Sequence, residues 1–357
     1  MKPPRKYHSL CILLLTIGLL IFIASNVSSD CGVIPLVDTW LYQPSQNAII
    51  AWNGNEEILI LSTNIVSGEN TTAIQIIPFP TYPEISKGNE SSFYKIGELV
   101  RTIEYKHVAP PFGPFPAGYL AGVAEVEVLF TTTIGVHNLT VLKVNNAGEF
   151  TIFIKTNLTI RNQSLVEKFD LLFPNFENIA NNYLERNIKY FVIDDINLKN
   201  NLRTVEPIIY RFNTSYLYYP TVMTSMIFDF LPKEYYGYYY HNYIAINIYT
   251  ITQGIPHDEH IIKIGYQRRA LLETDKNSLE YISPEIASLF SSNTWVGSYR
   301  ARVDLTEAKA SPIFNQDFTI RETSSMIKLD WLINIMAICG IVLTLLMGVY
   351  LLKVVRR

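Results

Sequence analysis

From Trp331 to Leu352 the chain carries no charged side chain over about 22 residues, and Lys353, Arg356 and Arg357 follow at once. A helix needs roughly 20 apolar residues to cross the hydrocarbon of a bilayer. No polar stripe interrupts this stretch, as the surface helix of a globular core would require. The segment therefore reads as a transmembrane helix over 331–352, with a basic tail at 353–357. Trp331 stands where an interfacial aromatic belongs, and basic tails stay cytoplasmic, so everything ahead of Asp330 is expected outside.

The opposite end is shorter. Lys2, Arg5 and Lys6 precede an uncharged core from Leu10 to Ala24, with Val27 and Ser29 as small residues behind it. Basic start, apolar core of roughly 15 residues and small-residue site make a signal peptide over 1–29, cleaved after Ser29. An uncleaved anchor is the alternative. Cys11 and Cys339 fall in these apolar ends, which leaves Cys31 without an intrachain disulfide partner in the exterior portion. It is expected as a buried thiol, with an intermolecular bridge as the alternative. Only 17% of the residues are charged and the formal net charge is −3, so nothing points to nucleic acid as a partner.

Between the ends, residues 30–325 read as one extracytoplasmic α+β domain whose length allows two subdomains. "NAIIAW", "EILILST" and "AIQIIPF" are short β-rich runs separated by turn residues. Phe93, Ile96, Val100 and Ile103 recur at helical spacing. Four prolines from Pro110 to Pro116 exclude helix and central strand. "VAEVEVLFTTTIGVHNLTVLKV" resumes strand character. Ser164 with Glu167 looks like a capping box, and Pro174 should divide the helical stretch that follows. "IKYFVIDDINL" is apolar on both alternating faces, as a covered central strand would be. Further strands are expected at "TVEPIIYRFN", "YPTVMTSMIFDF", "IAINIYTIT" and "HIIKIGY", and a short helix at Ser283-Pro284-Glu285. Many strands with a few helices in mixed order predict a largely antiparallel sheet.

Several of these stretches together resemble a known family. "CG" at Cys31 and Gly32, Gln46, the proline spacing of Pro78, Pro80 and Pro83, and Phe93 opening a helix are similar to an uncharacterised secreted prokaryotic family, domain of unknown function 2330. The similarity continues through "TIGVHNLTVLKVNNAGEF", "RNIKYFVIDDINL" and "PIIYRFNTSYLYYP", and ends near "SYRARVDL…NQDFTIRE". It implies a helix at "AGEFTIFIKTN", which periodicity alone leaves ambiguous. It implies no catalytic residue.

The loudest local chemistry is "YYGYYYHNY", Tyr235 to Tyr243. If extended, Tyr236, Tyr238 and Tyr240 share one face and form a weak candidate for stacking a sugar or meeting a partner. The alternative is the end of a hairpin with half of its rings packed. Glu125 and Glu127 lie roughly 7 Å apart on one strand face, a spacing some glycosidases use, but also the pattern of a solvated face. Asp194 and Asp195 point to opposite faces of their strand. "HDEH" supplies His257 and His260 as weak metal candidates, with His241 as a third only if the fold brings it near. A polar turn is the competing reading. No Gly-rich phosphate loop, nucleophile elbow or zinc-protease motif occurs, and no cofactor is implied. Sequons at Asn70, Asn89, Asn138, Asn157, Asn162 and Asn213 all fall in the exterior portion and are candidate glycosylation sites.

Together these features predict a single-pass type I cell-membrane protein. Its bilayer contact is the C-terminal helix, and its exterior domain binds a surface glycan or protein, or has a structural role. A membrane-anchored hydrolase acting on glycans or peptides is the alternative.

Overall fold

The computed structural model describes residues 33–35, 41–67, 69–101, 125–198, 205–224, 243–304 and 311–324. The two apolar ends, the three cysteines, the proline-rich stretch and the tyrosine run up to Asn242 lie outside the described residues. Among the described residues no helix is long and apolar enough to cross a membrane.

Two sheets form the centre. The first has the order β1 (Val33–Pro35), β4 (Thr71–Phe79), β8 (Tyr190–Leu198), β7 (His137–Val144), β6 (Val126–Ile134), with every pair antiparallel. The second has the order β13 (Gln267–Thr274), β14 (Thr294–Asp304), β11 (Tyr243–Thr252), β2 (Leu41–Trp52), β3 (Glu56–Ser67), β9 (Ile208–Asn213), β5 (Glu84–Lys87). Its β11–β2 pair is parallel and the other pairs are antiparallel. Two small ribbons complete the strands: β10 (Leu217–Tyr219) with β15 (Phe318–Ile320), and β12 (Ile255–Pro256) with β16 (Thr323–Ser324). The fold is α+β and mostly antiparallel, as the strand count predicted.

The sheets pack face to face, with helices on their outer faces. Alternate residues of β8 point to opposite sides. Phe191 meets Phe150 of α2 (Ala147–Arg161), ring centroids 4.7 Å apart. Helices α3 (Ser164–Leu172) and α4 (Phe176–Glu185) complete that layer, through Phe169, Phe176 and Tyr183. On the other side, Phe79 of β4 packs on Tyr210 and Phe212 of β9, at 4.9 and 5.1 Å. The far face of the seven-stranded sheet buries Ile49, Ile58, Ile60 and Ile251 against α1 (Ser91–Arg101), α7 (Lys276–Ile282) and α8 (Pro284–Ser288). This double covering explains why β2 and β3 are apolar at successive positions and not only at alternate ones.

Helix α5 (Thr221–Thr224) and helix α6 (Glu259–Lys263) correct two expectations. Both segments read as strands, in "YPTVMTSMIFDF" and "HIIKIGY". In the first, only the four helical residues and the two ahead of them lie within the described region. In the second, Asp258 takes the N-cap position and Ile261 alone of the five helical residues is buried, too little apolar spacing for a short helix to show. A third correction concerns Ser164, which is the first residue of α3 and not its cap. Its N–H and hydroxyl both donate to Asn162 Oδ1, at 3.1 and 3.0 Å. Pro174 does separate α3 from α4. Ser283 does cap α8, accepting from the Ile286 N–H.

Candidate functional site

The β10–β15 ribbon carries a cluster of aromatic and charged side chains. Tyr218 stands opposite Thr319, and Tyr219 opposite Phe318. With side chains alternating along each strand, Tyr216 and Tyr218 share a face with Asp317, Thr319 and Arg321. The reverse face is packed on the seven-stranded sheet. There the Tyr219 hydroxyl donates to Gln46 Oε1 at 2.5 Å, and Phe318 meets the rings of Tyr266 and Tyr299 at 5.1 and 5.4 Å.

One end of the Tyr218 face is closed by α4. The Tyr183 hydroxyl and the Val222 N–H both donate to Asp317 Oδ1, at 2.8 and 3.1 Å. Arg186 Nη1 donates to Asp317 Oδ2 at 2.9 Å, and its guanidinium lies 4.5 Å from the Tyr183 ring centroid. The Met223 N–H donates in turn to the Tyr183 hydroxyl. Burial raises the Asp317 carboxyl, and Arg186, Tyr183 and the Val222 amide pull the other way without fully reversing it. At the other end, the exposed Arg321 guanidinium lies 5.4 Å from the Tyr216 ring centroid, and the Tyr216 and Tyr218 rings meet edge to face at 6.1 Å.

Between these ends, the Tyr218 hydroxyl is fully buried and has no hydrogen-bond partner among the described residues. Burial holds it well above the ordinary phenol range, so it is a donor at neutral pH. Its backbone N–H donates to Oε2 of Glu57 at 2.7 Å. Burial raises Glu57 well above the usual carboxylate range, more than that hydrogen bond lowers it, and drives it toward its neutral form. The face thus combines two guanidiniums, one neutralising carboxylate and one idle donor.

Other buried acids are tied down within the fold. His137 Nδ1 lies 2.6 Å from Asp194 Oδ2, and Nε2 lies 2.9 Å from the Glu206 carbonyl. Asp195, on the opposite face of β8, takes Arg161 Nη2 at 2.5 Å. Asp258 accepts both Arg268 Nη1 and the Tyr299 hydroxyl, at 3.0 and 2.7 Å.

The candidates named from sequence distribute as follows. Tyr236, Tyr238 and Tyr240, with His241, lie outside the described residues. Glu125 and Glu127 are both exposed at the outer edge of the first sheet, and Glu127 stands opposite Lys143. His257 bonds Ser324 through Nε2 and faces Glu322 Oε2 at 3.4 Å, while His260 Nε2 lies 2.5 Å from the Thr319 carbonyl. The two imidazoles thus pin the β15–β16 segment on either side of Arg321 and do not converge on a point. Among the described residues no group of three or more His, Cys, Asp or Glu side chains is arranged to hold a metal ion. Asn70, Asn89, Asn162 and Asn213 are exposed. Asn157 is half-buried and donates to the Phe153 carbonyl. Asn138 is buried in β7 opposite Asp195, where the folded chain has no room for a glycan, so it is a core position and not a surface acceptor.

Tyr183, Arg186, Tyr218, Asp317 and Arg321 were missed in the sequence. Tyr183 and Arg186 are one helical turn apart, but their shared partner lies more than 130 residues away. No family model, curated protein or solved structure matches the chain.

Proposed function

We propose that this chain is a single-pass type I membrane protein whose exterior α+β domain binds a ligand or partner at the cell surface. The carrying observation is the ribbon face, where the exposed Arg321 lies beside Tyr216 and the partly exposed Arg186 beside Tyr183. Fixed donors on a rigid two-stranded scaffold suit recognition. The buried acids support binding over hydrolysis, because Asp194, Asp195, Asp258 and Asp317 each hold a cation or imidazole of the fold. A general acid needs a carboxyl free to meet substrate. The resemblance in sequence to a secreted family fits the same reading, as does the charge-free stretch before the basic tail.

The test is fractionation. The full chain should stay with membranes through a carbonate wash, and a chain ended before Trp331 should be released. Retention of the shortened chain would place the anchor at Leu10 to Ala24 and overturn the type I arrangement.

A further inference from the structure

We propose that the outer half of β6, residues 130–134, is an association surface for a second copy of this chain, added strand to strand in antiparallel register about Thr132. This surface belongs to the first sheet and not to the ribbon, and so goes beyond the binding reading above.

A strand at the edge of a sheet presents unpaired backbone N–H and C=O groups. Folded chains blunt such edges with charge, proline, bulges or short length. Three of the four edges of the two main sheets follow that rule. β1 has three residues and ends on Pro35, β5 carries Glu84 and Lys87 at its ends, and β13 carries Arg268, Arg269 and Glu273. β6 pairs with β7 on one side, and among the described residues no strand pairs with it on the other. Its bulge falls between Val128 and Phe130, and its exposed acid, Glu127, precedes that bulge. Beyond the bulge the strand reads "FTTTI", strongly β-forming and without charge or proline.

The apolar layer also runs out to this edge. Phe130, Thr132 and Ile134 stand opposite Val141, Leu139 and His137 of β7, so they share the inner face of the sheet. Val141 and Leu139 are fully buried, whereas Phe130 is 43% exposed. A strand laid along β6 would cover that ring.

The segment is its own complement. With a two-fold axis at Thr132, Phe130 faces Ile134 of the second copy, Thr131 faces its Thr133, and Thr132 faces itself. Aromatic with β-branched and threonine with threonine are favourable cross-strand pairs, and no charge meets a like charge. An axis at Thr131 sets Phe130 against threonine. One at Thr133 sets it against Val136, which lies beyond the strand and is already buried. Of these registers, the one at Thr132 covers both apolar side chains. A charged strand would lose water along β6 and meet no counter-charge, so a second copy fits better than an acidic or basic segment.

The experiment is sedimentation of the full chain in a neutral detergent, with cysteine cross-linking beside it. A five-residue contact is small, so a reversible dimer with Kd of about 10–100 µM is expected. Phe130→Lys and Thr131→Lys should each weaken it about ten-fold, because by symmetry each change acts twice. Ile160→Lys, at an equally exposed apolar position on α2, should leave it intact. Thermal melts confirm that all three variants are folded. With Cys11, Cys31 and Cys339 replaced by serine, Thr132→Cys should oxidise to a linked dimer, since directly opposed positions come within disulfide reach. Phe130→Cys should not, because its two copies stand four strand positions apart, about 14 Å. A native chain that stays monomeric over that concentration range, a dimer that both β6 variants leave intact, or linkage at 130 as ready as at 132 overturns the proposal. Fractionation decides the anchored arrangement separately, so failure here would not be mistaken for failure there.

Discussion

The Nδ1 of His137 lies 2.6 Å from Oδ2 of Asp194, with both side chains buried between the two sheets. The other ring nitrogen meets the Glu206 carbonyl, which can only accept. The imidazolium, with a proton on each ring nitrogen, is the form that can donate to both partners. Burial alone pulls this imidazole down, but the charge of Asp194 and the two hydrogen bonds more than reverse it and raise His137 above its ordinary value. A raised folded value means stability that is complete below the unfolded value near 6.5 and lost as pH climbs through the folded one. Urea midpoints should therefore fall from pH 6 to pH 9 in the native chain and fall less in His137→Gln. Equal slopes in both would show that the pair is not the titrating element.

Removing one partner of a buried pair leaves the other charge stranded. Arg186→Met should destabilise the fold by about 3 kcal/mol, the low end for a buried pair because the guanidinium is partly exposed. Asp317→Leu in the same chain should restore part of that loss. Thermal melts of the single and double variants measure the coupling. Additive losses would mean that the two side chains do not interact.

Gly135 turns the β6–β7 hairpin with φ of 57°, and a Cβ there would lie 1.6 Å from Glu206 Oε2. Gly135→Ala should cost about 1–3 kcal/mol through the left-handed backbone and the clash. Glu206→Ala should relieve the clash and leave the backbone cost. Denaturant titration of Gly135→Ala, Glu206→Ala and the double variant separates the two contributions, and a Gly135→Ala variant as stable as the native chain would contradict the geometry.

Much of the fold could be read from the order of residues, because periodicity reports burial. β8 stood out as "YFVIDDINL", apolar on both faces, and it is the central strand of its sheet. The break at Pro174 and the Ser283 cap are local chemistry, which a sequence displays directly. The short helices α5 and α6 were hidden because four or five residues carry too little spacing to distinguish helix from strand. "HIIKIGY" buries Ile261 and exposes Ile262, an alternation either could produce. The candidate site was illegible for a different reason. Asp317 looks like a loop acid until Arg186 and Tyr183 arrive from a helix 131 and 134 residues earlier. The conspicuous pairs, Glu125 with Glu127 and His257 with His260, turn out to be a solvated edge and two pins on the β15–β16 segment.

The most direct test of the central claim is protease protection on intact cells with one epitope in the exterior domain and one after Arg357. An exterior domain anchored by the 331–352 segment should lose the first epitope and keep the second. Loss of the C-terminal epitope with protection of the domain would contradict the account.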